Sequence, residues 1–322
     1  MKLQTQIPLE PISGQLDYSS KILMLGSCFS QNMGAKLDYY QFQTLQNPFG
    51  ILFNPLAIDN LLQKALNKYE YLEEDIFRLN GRWHCFDAHS NLSSASKEEL
   101  LKNLNIALTR TNQFLREASH VFITLGTAWV YQHEKSNQFV ANCHKVPQKE
   151  FGKHLLNIDE IRGSLQSIAS AIEEINPDTS IVLTISPVRH LKDGFVENQR
   201  SKSHLITAVH ELLGVLPLGI KGFYFPSYEI MMDELRDYRF YERDMVHPNS
   251  LAIDYIWEKF KEVLVSKDVE EVMEQVAEIQ KGLAHRPFDV GSEAHQKFLK
   301  SLTQKIAYIK SKYPFMNFGN SS

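Results

Sequence analysis

Lys21-Ile-Leu-Met-Leu-Gly-Ser-Cys-Phe-Ser30 is the stretch on which the fold turns. Residues 22–25 are a short apolar run of strand type, Gly26 stops it, and residues 31–40 continue with a helix-compatible pattern. A strand that ends at glycine and turns straight into a helix exposes its turn at the carboxyl edge of a sheet. There the first amides of the helix can hold an anion. Two small nucleophile-capable side chains, Ser27 and Cys28, occupy that turn. The design recurs in Val121-Phe-Ile-Thr-Leu-Gly126, and residues 181–185 lead similarly into Ser186-Pro-Val-Arg-His190.

Outward from this segment, strand and helix signals alternate. Periodicity predicts helices over about residues 56–67, 97–117, 158–175 and 197–213, with another after Pro248. Asn80-Gly81 between apolar flanks predicts a tight hairpin over about residues 76–85, and residues 128–133 and 138–142 pair as a second. Residues 222–225 predict a further strand, while 44–55, rich in turn formers, predict a loop. This order predicts an α/β fold with a mostly parallel sheet and helices on both faces. From about Lys267 two helical stretches, 269–282 and 292–312, carry no strand signal. The chain is therefore expected to divide into an α/β domain over residues 1–265 and a C-terminal helical appendage over 266–322, with 317–322 frayed.

Composition narrows the function classes. The 322 residues are 43% hydrophobic and 22% charged, as in an ordinary globular protein. A net charge of −4 provides no footprint for nucleic acid or an anionic membrane surface, so neither is expected as a partner. Residues 1–10 lack the basic start and apolar run of a secretory signal, and no window approaches the roughly 18 apolar residues of a membrane span. Three cysteines, Cys28, Cys85 and Cys143, are too few and odd in number for a disulfide framework, so a cytoplasmic setting is expected.

The second informative segment is Asp244-Met-Val-His-Pro-Asn249. A carboxylate three residues before a histidine can fold back onto one ring nitrogen, fixing the tautomer and leaving the other nitrogen free as a base. Alone, an aspartate before a helix is often an N-cap, and a glycine turn beside a thiol is often only structure. Together, in the first and last strand-to-helix connections, they supply nucleophile, base and orienting acid. Cys28 is the favoured nucleophile and Ser27 the alternative. The helix N-terminus and an imidazolium beside it are expected to pull the Cys28 thiol below its reference value of about 8.5.

Leu25-Gly-Ser-Cys-Phe-Ser30 and Asp244-Met-Val-His-Pro-Asn249 resemble the first and last blocks of the SGNH/GDSL hydrolase superfamily. More narrowly, Gly26-Ser-Cys-Phe-Ser30 resembles the motif that names the GSCFA-domain family. Asn47-Pro-Phe-Gly-Ile51, Thr124-Leu-Gly-Thr127, Asn142-Cys-His144, Ser186-Pro-Val-Arg-His190 and Asp237-Tyr-Arg-Phe-Tyr241 fit that family too. The resemblance covers about residues 21–260 and implies a flavodoxin-like three-layer sandwich with acyl-ester chemistry. Aligned without a gap, the family's Gly-Asp-Ser falls on Gly26-Ser27-Cys28, with cysteine in the nucleophile's place. The third block falls on Gly126-Thr-Ala-Trp129, so Ala128 stands where an oxyanion-binding asparagine is usual.

The resemblance implies an acyl hydrolase or acyl transferase on a small-molecule or glycan acyl ester, working through a covalent acyl-enzyme without cofactor or metal. Cys28 or Ser27 attacks, His247 moves the proton and Asp244 orients His247. The N–H groups of Cys28 and Gly50 and the Asn142 side chain are the expected oxyanion donors, with Asn47, Gly126, Thr127 and His144 lining the pocket. Arg189 and His190 either read an acidic substrate or form a structural ion pair. His84, Cys85, Asp87 and His89, with Cys143 and His144, lack metal-ligand spacing, and hairpin alternation sends His84 and Cys85 to opposite faces. The missing asparagine leaves a second reading, a non-catalytic binding or scaffold protein that keeps a degenerate pocket.

Overall fold

Strand β1 (Lys21–Gly26) runs into helix α1 (Cys28–Tyr39) with only Ser27 between them. Ser27 caps the helix, its Oγ accepting from the Phe29 N–H at 3.2 Å. The chain returns through a short strand, β2 (Gln43–Gln46), into α2 (Pro55–Leu66), capped by Asn54 and opened by proline. A hairpin of β3 (Ile76–Leu79) and β4 (Arg82–Cys85) precedes α3 (Lys97–Leu115) and β5 (His120–Leu125). Strands β6 (Trp129–His133), β7 (Gln138–Val140) and β8 (Phe151–Leu155) form a small antiparallel sheet of order β7-β6-β8. Next come α4 (Ile158–Ile175), β9 (Ser180–Ile185), α5 (Phe195–Val215) and β10 (Lys221–Phe225). A single turn, α6 (Ser227–Glu229), widens into a π-turn over Ile230–Glu234. Helices α7 (Ser250–Leu264), α8 (Glu270–Ala284) and α9 (Glu293–Lys312) follow. The computed structural model describes residues 4–216 and 220–319.

The main sheet has five strands in the order β2-β1-β5-β9-β10, all parallel. From β1 the chain winds outward to β2 on one side and to β5, β9 and β10 on the other. The topological switch point therefore lies between β1 and β5, with a crevice at their carboxyl ends. Alternate side chains enter two cores, as a period of two requires. Leu23, Leu25, Val121, Ile123, Ile181 and Leu183 pack with α2 to α5 on one face. Ile22, Met24, Phe122 and Val182 pack with α1 and α7 on the other. This is the flavodoxin-like three-layer sandwich expected from the sequence.

Two strands escaped the sequence reading. Strand β2 is only Gln-Thr-Leu-Gln, too short and polar to stand out within the loop expected over 44–55, yet it pairs with β1 from Lys21↔Gln43 to Met24↔Gln46. Strand β8, interrupted by Gly152 and Lys153, is held by register with β6 and has no apolar run of its own. The C-terminal appendage is packed onto the sandwich: Met273, Val276, Ile279, Leu302 and Ile309 share the core of α1 and α7. The fraying expected from residue 317 is corrected. Met316 and Phe318 are buried there and the Asn317 N–H donates to Gln41 Oε1 at 2.7 Å; residues 320–322 lie outside the described residues. No described helix is long and apolar enough to cross a membrane.

Gly26 is required by space as well as by conformation. Its φ is +131°, and a Cβ there would lie 2.2 Å from the Thr124 carbonyl oxygen of β5. Gly163, exposed on α4, has no atom within 4 Å of the same construction. Gly26→Ala is expected to destabilise the fold by about 2–4 kcal/mol. Gly163→Ala is expected to stabilise it by about 0.5–1 kcal/mol. Urea unfolding of the two variants checks both signs; equal effects would refute the steric account.

Candidate active site

Cys28 is the first residue of α1, at the carboxyl end of β1 and on the edge of the switch-point crevice. The Ser27 N–H donates to Thr124 O at 3.1 Å, and Ser30 Oγ donates to Thr124 Oγ1 at 2.7 Å, so the turn is sewn to β5 on both sides of the cysteine. Ser27 is 2% exposed with its hydroxyl engaged as the helix cap, whereas Cys28 is half-buried. Of the two candidate nucleophiles, the thiol is the one whose side-chain atom is not already committed. Burial pushes that thiol up, against the expectation of a lowered value. The Cys28 and Phe29 amides and the Lys202 ammonium pull it down, and the Asp244 charge pushes it up, without reversing the effect of burial. The helix N-terminus is present, but desolvation of the sulfur outweighs it.

Asp244 and His247 stand on the loop between β10 and α7. Asp244 Oδ2 accepts from His247 Nδ1 at 2.6 Å, and its Oδ1 accepts from the Val246 and His247 amides at 2.8 and 3.0 Å. These bonds, led by the His247 amide, hold the Asp244 carboxyl down at about 2. Both side chains are about half exposed. The loop is braced from several sides: Glu242 N–H donates to His247 O, Asn249 N–H to Phe240 O, and Asn249 caps α7 at Ala252. Met245, between the pair, takes φ +58°, a left-handed conformation fixed by this bracing.

Among the described residues, Arg189 meets no carboxylate. Its backbone N–H donates to Val246 O, its guanidinium donates to Met245 O and lies 4.3 Å from the Tyr241 ring centroid. It therefore supports the histidine loop. Among the described residues the structural ion pair is not made, and the guanidinium is held against the histidine loop. His190 lies over Gly126: a Cβ at Gly126 would come 2.9 Å from its Nε2, an atom that is buried and has no partner among the described residues. Burial, the Lys202 charge and His247 depress His190 to about 3, so its ring is neutral.

The remaining expected residues fall into two places. Asn47, 7% exposed, accepts the Gly26 N–H on Oδ1 at 2.9 Å and leaves Nδ2 buried without a partner among the described residues. The Gly50 N–H donates to Asn47 O at 2.7 Å, closing its own turn. Gly126 and Thr127 donate their N–H groups to Phe53 O, and Thr127 Oγ1 pairs with Ser201 Oγ. Asn142 and His144 instead join the cluster beside the β3–β4 hairpin. Asn142 Oδ1 accepts from His144 N–H at 2.8 Å, and His144 Nε2 donates to Cys85 O at 2.7 Å. Burial, with a contribution from His84, lowers His144 to about 4. Thus Asn142, expected to stand in for the missing asparagine, uses its side-chain oxygen to cap its own turn. Among the described residues, no group of three or more His, Cys, Asp or Glu is arranged to hold a metal ion.

One residue went unnoticed in the sequence. Lys202, 0% exposed, donates from Nζ to Gly126 O at 2.8 Å and Ser186 O at 2.7 Å. Its neighbours on the inner face of α5 are also polar. Asn198 accepts the His190 N–H, and Ser201 Oγ accepts the Ala128 N–H. The signal was available: Asn198, Ser201 and Lys202 continue the stripe of Leu205, Ala208, Val209 and Leu212, so polar residues occupy core positions of an amphipathic helix.

No curated protein matches the sequence. Similar solved structures include a carbohydrate esterase family 3 from Talaromyces cellulolyticus (9% identity, TM-score 0.37, 79% of this chain and 98% of that one). An acetyl esterase with acetate ion is similar at 10% identity and TM-score 0.36, covering 80% and 99%. A family two carbohydrate esterase from Clostridium thermocellum is similar at 12% identity and TM-score 0.34, covering 80% and 66%. The sequence model of the GSCFA family matches residues 21–260, and that of the GSCFA domain protein C-terminal domain matches residues 276–321. Three quarters of the chain, carrying both the Cys28 turn and the Asp244–His247 loop, thus answer to one family description, and the protein belongs to the GSCFA family.

Proposed function

We propose that this protein is an acyl hydrolase or acyl transferase with a Cys28–His247–Asp244 triad, acting on an acyl ester of a small alcohol or a glycan. The observation that carries this reading is the 2.6 Å bond from His247 Nδ1 to Asp244 Oδ2, on the loop that follows the last strand of the sheet whose first strand leads into the Cys28 turn. With Nδ1–H committed to the carboxylate, Nε2 is left as the proton acceptor. Because burial keeps Cys28 a thiol, deprotonation accompanies attack: Nε2 takes the Sγ proton as Sγ bonds to the acyl carbon. Expulsion of the alcohol, protonated from Nε2, leaves a thioester on Cys28. Water or an acceptor hydroxyl, deprotonated by the same nitrogen, then attacks the thioester and frees the thiol. The Cys28 amide at the start of α1 faces the developing oxyanion.

A second reading, a pocket that binds without turnover, draws on the engagement of one expected donor, the Gly50 N–H, within its own turn, and on Ala128 standing where an asparagine is usual. A panel of short-chain acyl esters and thioesters separates the two. Turnover lost on His247→Ala supports the catalytic reading, whereas wild-type protein inert on every ester and thioester supports the other.

Two expected outcomes sharpen the assignment. Cys28→Ala should lower turnover by at least roughly 10³-fold with little change in stability. Ser27→Ala should retain a measurable share of activity while losing about 1 kcal/mol of stability with its helix cap. The reverse pattern in ester assays and urea melts would transfer the nucleophile to Ser27. Asp244→Asn should lower kcat by roughly 10²–10⁴-fold, because an amide can hold His247 in the wrong tautomer. Since Asp244 is half exposed, the thermal midpoint should barely move; an unchanged kcat would remove Asp244 from the triad.

A further inference from the structure

The loop that carries Asp244 and His247 has a closed base. It leaves the π-turn at Glu234 and enters α7 at Ser250. Ile230, Met231 and Leu235 are buried in the core shared with α7, and Glu234 is buried beside them at 5% exposure. Its carboxyl group joins three segments of the chain. Oε1 accepts the Ile7 N–H at 2.6 Å, and Oε2 accepts the Tyr255 hydroxyl of α7. Gln4 closes the same junction, its Nε2 donating to Glu234 O at 2.9 Å. A buried carboxyl group is costly unless its oxygens find donors, and here both find them on elements distant in sequence. Packing alone would be served by an apolar side chain. A satisfied polar junction instead selects one relative placement of its partners.

We propose that Glu234 is a positioning residue for His247: it locks the start of the histidine loop to α7 and to the N-terminal segment, and so sets where the loop stands relative to the Cys28 turn. The proposal rests on the triad reading. Local hydrogen bonds fix the Asp244–His247 pair internally, but the loop over residues 235–249 can still pivot as a unit about its two ends. Glu234 joins those ends. It stands one residue before the loop, and Tyr255 stands in the second turn of the helix that follows it. Helix α7 carries the connection on to the nucleophile. Met33 and Leu37 of α1 share a core with Ile256 and Trp257 of α7, and Lys36 of α1 pairs with Asp254, the neighbour of Tyr255. Near its tip the loop is held separately, by the contacts of Arg189 to Met245 and Val246.

The test compares Glu234→Gln, Glu234→Leu and Tyr255→Phe with wild type, reading amide hydrogen exchange by mass spectrometry and ester turnover well below each thermal midpoint. In the folded variants, exchange in peptides from residues 235–249 should quicken by about tenfold or more, while peptides from α1 keep wild-type rates. The kcat should fall by about tenfold or more with KM within about twofold, because a displacement of about 1 Å at a reacting group can cost on the order of 10²-fold. Glu234→Gln, whose amide oxygen still accepts one bond, should lose less than Glu234→Leu. Loop exchange that stays at the wild-type rate overturns the proposal, as does an unmoved kcat in a variant whose loop has loosened. If neither Glu234 variant folds, Tyr255→Phe decides, since it removes only a hydroxyl from a partly exposed ring. Exchange needs no substrate, so with a chain inert on every ester, which would sink the triad reading, the loop rates alone decide. An unmoved loop alongside turnover that depends on His247 sinks Glu234 alone.

Discussion

The contact between the end of β1 and the end of β5 is the constraint on which the site depends. The Ser27 N–H reaches Thr124 O at 3.1 Å only because Gly26 carries no side chain; a Cβ would stand 2.2 Å from that same oxygen. This approach puts the first turn of α1 over the switch point of the sheet, the place where open α/β sheets present their loops to ligands. It also commits Ser27 to capping and leaves Cys28 beside the crevice, half-buried, with its sulfur near the first helix amides. Desolvation then sets the thiol's character. The same burial that orders the turn raises the cost of the thiolate and favours the thiol.

Helix α5 supplies much of the remaining organisation. Its inner stripe is polar where it passes the carboxyl ends of β5 and β9, and apolar beyond them. Asn198, Ser201 and Lys202 meet the His190 amide, the Ala128 amide and the Gly126 and Ser186 carbonyls respectively. Backbone groups at strand ends lose their ladder partners and, once buried, need others. These three side chains provide them, which is why the loops after two strands are ordered without secondary structure of their own. Among the described residues, buried side-chain nitrogens stay unmatched on His190 and Asn47, each beside a glycine of the crevice, and also on Arg189, His144 and Trp257.

The histidine loop is built on the opposite principle. Asp244 and His247 are about half exposed, and the loop is fixed by backbone contacts to Phe240 and Arg189, with the Arg189 guanidinium against the Tyr241 ring. A half-buried Cys28 turn, sewn to β5, thus contrasts with a half-exposed Asp244–His247 pair held by local hydrogen bonds. Because the Asp244–His247 pair spans only three residues, its geometry follows from the Asx-type turn and scarcely from the rest of the chain.

That difference decides what was legible. The local features could be read from sequence alone: the strand stopped at Gly26, the aspartate three residues before a histidine, and the β/α alternation that fixes a parallel three-layer sheet. Each depends on residues adjacent in the chain or on a short hydrophobic period. The short strands β2 and β8 were not legible, because pairing with β1 and β6 makes them strands and their own composition does not. Nor were the partners of Asn142 and Gly50, whose polar groups turned inward onto their own loops. The direction of the Cys28 shift and the place of Lys202 needed the folded chain, because desolvation and buried charge depend on what packs around an atom from distant elements. Sequence determined where the turn and the pair would lie; only tertiary packing decided how much water they keep.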